Sequence, residues 1–141
     1  MSFPLAGLLR VRGAQERVAA ESLSHASAER LRAESAERGA SRALQSISVE
    51  ITDGSTLLAM AAARAASNTA LSDLRALTEL RRTDELDAKA THVEARRELK
   101  GLERLETSYQ AQTEKAELAA EQNALDEIAI ARIARRRGGA E

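Results

Sequence analysis

Two histidines, His25 and His92, are the only imidazoles in the chain, and no cysteine accompanies them. Neither histidine has a carboxylate and a second histidine at metal-ligand spacing, so both read as ordinary, partly exposed helix residues. Serines are plentiful, but none has a nearby histidine and acid to make it a nucleophile. The acids Asp84, Glu85 and Asp87, and Glu103 with Glu106, read as a solvated helix face. Arg136-Arg137-Gly138-Gly139 is a tail and resembles no phosphate-binding loop. No enzymatic activity, metal or cofactor is expected. The arginines Arg132, Arg135, Arg136 and Arg137 could attract phosphate. The chain is slightly acidic overall and has two aromatic residues to stack on bases, so a nucleic-acid partner is not expected. Two readings of these arginines stay open: complementing the helix dipole, or docking a protein partner.

The elements that would present such a tip are dictated by composition. Alanine supplies 30 of 141 residues, against one Phe, one Tyr, no Trp and two Met. Burying alanine removes little apolar area, so a compact core of this composition would be weak. One Pro and seven Gly leave few turns. High Ala, Glu, Leu and Arg content favours long helices. Charge is spread unevenly: +1 over residues 1–50, −5 over 51–131 and +3 over 132–141. No apolar run approaches the ~20 residues that cross a bilayer. Met1-Ser2-Phe3-Pro4-Leu5 lacks the basic start and long apolar stretch of a secretory signal. These features, with the absence of cysteine, predict a soluble cytoplasmic protein.

Pro4 suits the first turn of a helix and Ser2 its N-cap. Helix is expected from about Pro4 to Glu50, with a thin 3-4 stripe through Leu5, Leu9, Arg12, Glu16, Ala19, Leu23 and Ala26. Gly13 and Gly39 mark bends or close approaches of two backbones. A break is expected at 52–55, where Asp53-Gly54 is turn chemistry and Ser55 or Thr56 can cap the next helix. That helix runs from about Thr56 to Arg137, with a kink or cap at Ser67-Asn68-Thr69. Its leucines change register between Leu71–Leu74 and Leu118–Leu125–Ile128, which predicts stutters. Gly138-Gly139 ends it. Its long part after that kink, from about Ala70 to Arg137, is ~65 residues, extends about 100 Å and cannot flank a compact globule. The expected fold is all-α: one coiled-coil domain over 1–141, a long antiparallel hairpin drawn out into a rod, more than ~85% helical against an ordinary third. Whether the free protein pairs its helices within one chain or between two is left open.

Two blocks stand out, one at each end of the chain. One is Phe3-Pro4-Leu5-Ala6-Gly7-Leu8-Leu9-Arg10-Val11-Arg12, followed by Glu16, Ala19 or Ala20, and Leu23. The other is Glu121-Gln122-Asn123-Ala124-Leu125-Asp126-Glu127-Ile128-Ala129-Ile130-Ala131-Arg132. In this order they resemble the FliJ family of flagellar type III export proteins. Between about 25 and 115 the likeness is that of generic coiled coil. The resemblance implies an antiparallel coiled coil similar to the central stalk of rotary ATP synthases. The end carrying both termini would insert into the hexameric export ATPase and promote its turnover, hydrolysing nothing itself. Other parts would contact the cytoplasmic domain of the export gate and the export chaperones, and membrane association would be peripheral, at the inner-membrane export apparatus, through these partners.

On that resemblance, the ATPase-ring contact is expected at Leu5, Leu8, Leu9 and Arg12 on one strand and Leu125, Ile128, Arg132 and Arg135 on the other. A second stripe, Ala36, Ala40, Ala43 and Ile47, falls at 4, 3 and 4 spacing near Leu57 and Leu58. It is either the intramolecular seam or a shallow groove for a helix of the gate or a chaperone. Rival readings are a structural or scaffolding coiled coil unrelated to secretion, and a helical secreted substrate. The choice between flagellar and injectisome systems, and of chaperones, stays open.

Overall fold

The computed structural model describes residues 2–47 and 53–139. Two helices, α1 (Ala6–Gln45) and α2 (Gly54–Gly138), account for 94% of them, and no strand occurs among them. The fold is an all-α helical hairpin. It divides into two compact units, residues 1–12 with 98–141, and residues 13–97.

In the unit of residues 13–97, α1 and α2 run antiparallel: Glu16 meets His92, Arg30 meets Glu85, and Glu37 meets Arg75. The covered side of α1 passes through Glu16, Ala19, Leu23, Ala26, Arg30, Ala33 and Glu37. Facing it on α2 are Leu71, Leu74, Thr78, Arg81, Glu85, Ala88, His92 and Ala95. Alternate spacings of three and four hold a seam on one side of each helix. Small residues of α1 oppose larger ones of α2: Ala19 and Ala33 are buried on the first, Leu71 and Thr78 on the second. Thr78 is the most enclosed, at 1% exposure. Its hydroxyl donates to the Leu74 carbonyl at 2.9 Å, so burial leaves no polar atom unpaired and its methyl group is free to pack.

Within this seam the 3-4 spacing runs unbroken from Leu71 to Ala95. Leu77, Leu80, Leu86 and Val93 fall off it and are exposed. Arg81, Glu85 and His92 take covered positions instead: Glu85 and His92 pair with Arg30 and Glu16 across the seam, and Arg81 pairs with Asp84 on its own helix. Arg30 donates from Nε to Glu85 at 2.6 Å and from Nη1 to Glu34 at 3.0 Å, and Glu34 also receives Arg82 at 3.3 Å. The Arg30 hydrogen bonds hold the Glu34 and Glu85 carboxyls below their ordinary range and raise the guanidinium further. His92 Nε2 lies 3.0 Å from Glu16 Oε1, making this histidine a cross-helix link, whereas His25 is exposed.

Several ends differ from the sequence expectation. α1 begins at Ala6, after a turn in which Ala6 N–H donates to the Phe3 carbonyl at 3.1 Å, rather than at Pro4. It ends at Gln45, short of Glu50, where Ser46 Oγ donates to the Ala43 carbonyl at 2.9 Å. Residues 48–50 of the expected helix lie outside the described residues. Of the expected break, Thr52 lies outside the described residues. α2 starts at Gly54 and is capped by Asp53, not by Ser55 or Thr56: Asp53 Oδ1 accepts the Thr56 N–H at 2.8 Å and the Ser55 hydroxyl at 3.0 Å. These bonds, the Thr56 N–H above all, depress the Asp53 carboxyl. α2 continues as helix through Ser67-Asn68-Thr69, where Thr69 Oγ1 donates to the Ala65 carbonyl. A Cβ on Gly39 would meet no atom within 4 Å, so no close approach of backbones underlies that glycine.

The depressed carboxyls give stability a pH dependence. A carboxyl whose pKa is lower in the folded chain than in the unfolded one favours folding above the unfolded value. That contribution disappears as pH falls from the ordinary carboxylate range through the lowered values. The melting temperature is therefore expected to drop on acidification across that range. In Arg30→Met the drop should be shallower, because the main cause of the Glu34 and Glu85 depression is gone. Thermal melts of both proteins over an acid pH series check this. Salt should weaken the effect, since these groups are near solvent.

Candidate partner-binding site

The unit of residues 1–12 and 98–141 is also antiparallel, but its two strands are unequal in length. The N-terminal strand lies along α2 from Glu98 to Tyr109. Arg12 Nη1 donates to Glu98 Oε2 at 2.5 Å, and the rings of Phe3 and Tyr109 sit 5.6 Å apart, tilted by 54°. The chain has one Phe, one Tyr and no Trp, so this pair uses all of them. Their offset contact, worth roughly 1 kcal/mol beyond area burial, anchors the N-terminal segment. The covered side of α2 here runs through Leu99, Leu102, Glu106, Tyr109 and Thr113, opposite Phe3, Ala6 and Leu9.

Beyond Thr113 every described residue of α2 is exposed. Residues 114–138 form a single helix that no other described part of the unit covers. Helix persists there because α2 is already nucleated and needs only propagation through good helix formers. Leu118, Leu125 and Ile130 are each 66% exposed, and Ile128 and Ile133 about half. Leu125, Ile128, Ala129, Arg132, Ile133 and Arg136 share one groove-lined stripe. Arg135, Arg136 and Arg137 fill the last turn, where helix carbonyls lack partners and cations are favoured. Gly139 N–H closes the end on the Arg135 carbonyl at 3.2 Å.

The residues expected to contact a ring thus fall into two groups. Leu125, Ile128, Arg132 and Arg135 lie on the uncovered helix. Leu5 and Leu8 are about 40% exposed beside the paired part of α2, Leu9 is half-buried, and Arg12 is engaged with Glu98. Phe3 stands at Tyr109, so Leu125 lies about 24 Å further along the helix axis at 1.5 Å per residue. Leu8 and Leu125 therefore do not zip together. Ala129, Ile133 and Arg136 line the same stripe and Leu118 is exposed on the same helix, yet none belongs to the expected set; their spacing from Leu125 is the signal in the sequence. The second expected stripe is split: Ala36 and Ala43 are exposed, and Ala40 and Ile47 half-buried. Leu57 and Leu58 are exposed.

No group of three His, Cys, Asp or Glu among the described residues could hold a metal ion, and no helix among them is long and apolar enough to cross a membrane. Such an exposed apolar helix with a cationic end can grip a protein surface by shape and charge. The sequence model of one family, described as the flagellar FliJ protein, matches residues 1–138, spanning both end blocks and everything between them. No curated protein and no solved structure matches the chain. The family comprises non-catalytic flagellar export components that interact with the export apparatus. With nearly its whole length matched, this chain belongs to the FliJ family and is a flagellar export-related protein.

Proposed function

We propose that this chain acts as a stalk for the hexameric export ATPase, entering the ring with its uncovered C-terminal helix and raising ATP turnover without hydrolysing ATP. The observation that carries this reading is the exposed stretch 114–138, which ends in Arg135, Arg136 and Arg137. Leu125 and Ile128 would seat among apolar residues of the ring, with Arg132 and Arg135 against acidic loops. Leu5 and Leu8 would meet the ring's mouth, and Leu9 and Arg12 would hold the N-terminal strand in place behind them. In the same reading, exposed Ala36 and Ala43, flanked by half-buried Ala40 and Ile47, offer a shallow surface to a helix of the export gate or of an export chaperone. Lacking large anchors, that surface would bind weakly, on the order of micromolar, as a carrier that releases its cargo requires. The protein would work at the cytoplasmic face of the inner membrane, held there by its partners.

The test is stimulation of the cognate ATPase by full-length protein carrying Leu125→Glu, Ile128→Glu, Arg132→Glu and Arg135→Glu together. Stimulation should vanish while helicity and melting temperature hold, because all four side chains are exposed. Full stimulation by this variant would remove the stalk assignment. Ala43→Glu is the counterpart: gate or chaperone binding should fall with ATPase stimulation intact.

A further inference from the structure

The uncovered stripe is not a continuation of the seam with α1. Covered positions of α2 in this unit end with Leu102, Glu106, Tyr109 and Thr113. Counting ~100° per residue, Leu118, Leu125, Ile128 and Arg132 are centred roughly 120° around the helix from that side. A longer α1 would leave them bare, so they form a separate binding face.

Charge changes sign along this face. Residues 114–127 hold five acids and one lysine, net −4, and residues 128–139 hold four arginines and no acid, net +4. A helix with equal and opposite halves complements itself when turned end for end. We infer that the occupant of this face in the free protein is a second copy of the chain, the two C-terminal helices lying antiparallel about a two-fold axis near Leu125. In that arrangement Leu125 meets its own copy, Glu114 comes level with Arg136, and Glu117 and Glu121 bracket Arg132. The pairing is isologous and closes at two chains. Because Phe3 reaches only Tyr109, the N-terminal strand of each copy lies past the end of the other's helix and does not obstruct it. Few large side chains meet, so the dimer is weak and reversible, with a dissociation constant on the order of micromolar. Any partner that takes this tip must displace the copy.

The chain contains no cysteine, so a single introduced thiol reports on one position. Full-length Leu125→Cys, Leu118→Cys and Ala59→Cys proteins are each treated with oxidised glutathione; Ala59 is exposed in the other unit and reports random collision. Leu125→Cys should form a disulfide-linked dimer at least about tenfold faster than Ala59→Cys, because pairing raises the local thiol concentration. Leu118→Cys should match the collision control, since two copies of residue 118 would stand about 21 Å apart along the axis, beyond disulfide reach. Equal speed at 118 and 125 means a parallel pair and overturns the proposal; collision-rate cross-linking at 125 overturns it as well. Sedimentation of the unaltered protein supplies the second measurement. Mass should rise from one chain to two with concentration and fall back when salt is added; a single chain at every concentration overturns the proposal. Neither readout involves the ATPase, so its outcome is separate from that of the stalk assignment.

Discussion

A chain ending at Thr113 is expected to melt within a few degrees of the full-length protein and to stimulate the export ATPase not at all. Every described residue removed by this truncation is exposed, so its loss uncovers no buried surface. Phe3–Tyr109, Arg12–Glu98 and the seam around Leu102 all remain. The helical signal should fall by about a fifth, because residues 114–138 are that share of the 40 and 85 residues in α1 and α2. Circular dichroism melts and ATPase assays with the cognate enzyme measure both quantities. A truncated chain that melts far lower would mean that residues 114–138 fold back on their own chain, or pair with a second copy far more tightly than a micromolar dimer does. One that stimulates fully would transfer the stalk role to Leu5 and Leu8. The combination of unchanged melting and lost stimulation is specific to an appendage that serves a partner and contributes nothing to its own fold.

Leu71→Ala is expected to destabilise the hairpin by about 2 kcal/mol, near the lower end of buried Leu→Ala changes because a two-helix seam relaxes easily. Leu86→Ala, in the same helix and chemically identical, should cost less than about 0.5 kcal/mol. The difference is burial alone: Leu71 is 5% exposed and Leu86 65%. Against total stabilities of roughly 5–15 kcal/mol, the first change is large. It is magnified here because so few side chains are buried, Ala19, Ala33, Leu71, Thr78 and Leu102 being those found among the described residues. Denaturant titration of the two variants measures the contrast. Similar losses at both positions would mean that Leu86 is covered in solution by something other than α1.

Much of this is legible in the sequence. The stripe through Leu9, Arg12, Glu16, Ala19, Leu23 and Ala26 is buried or half-buried, as its 3-4 spacing implies, although Leu5 is exposed. In α2 the leucine pattern marks the seam only at Leu71, Leu74, Leu99 and Leu102. Fourteen large aliphatic residues from Leu71 to Ile133 compete for attention there, and the seam is filled largely by Thr78, Arg81, Glu85, Ala88 and His92. Thr78 and Arg81 satisfy their polar groups on α2 itself, with the Leu74 carbonyl and Asp84, whereas Glu85, His92 and Arg12 enter a seam by pairing with the other helix. Such a cross-helix partner lies up to 86 residues away, as Glu98 does from Arg12, so no local pattern announces it. The cap at Asp53 is not singled out by sequence, because Asp53, Ser55 and Thr56 are all competent caps. Which of them faces the free N–H groups is set by where the helix starts.

The sequence by itself determined that the chain is helical, that it carries one break near its first third, and that both end blocks resemble one export family. These properties are local or statistical: alanine-rich composition, scarce turn residues and short-range spacing act through each residue's own backbone preference. Only the tertiary structure decided where the two strands stop sharing a seam. The meeting of Phe3 with Tyr109 sets that point, and it leaves residues 114–138 without cover. The physical reason is register. Antiparallel helices can slide by whole turns at little cost to their spacing pattern, and a few long-range contacts choose among the alternatives: one aromatic pair, Arg12 with Glu98, and Arg30 between Glu34 and Glu85. The apolar residues of the C-terminal block were visible from the start; that they face no part of their own unit was decided by those contacts.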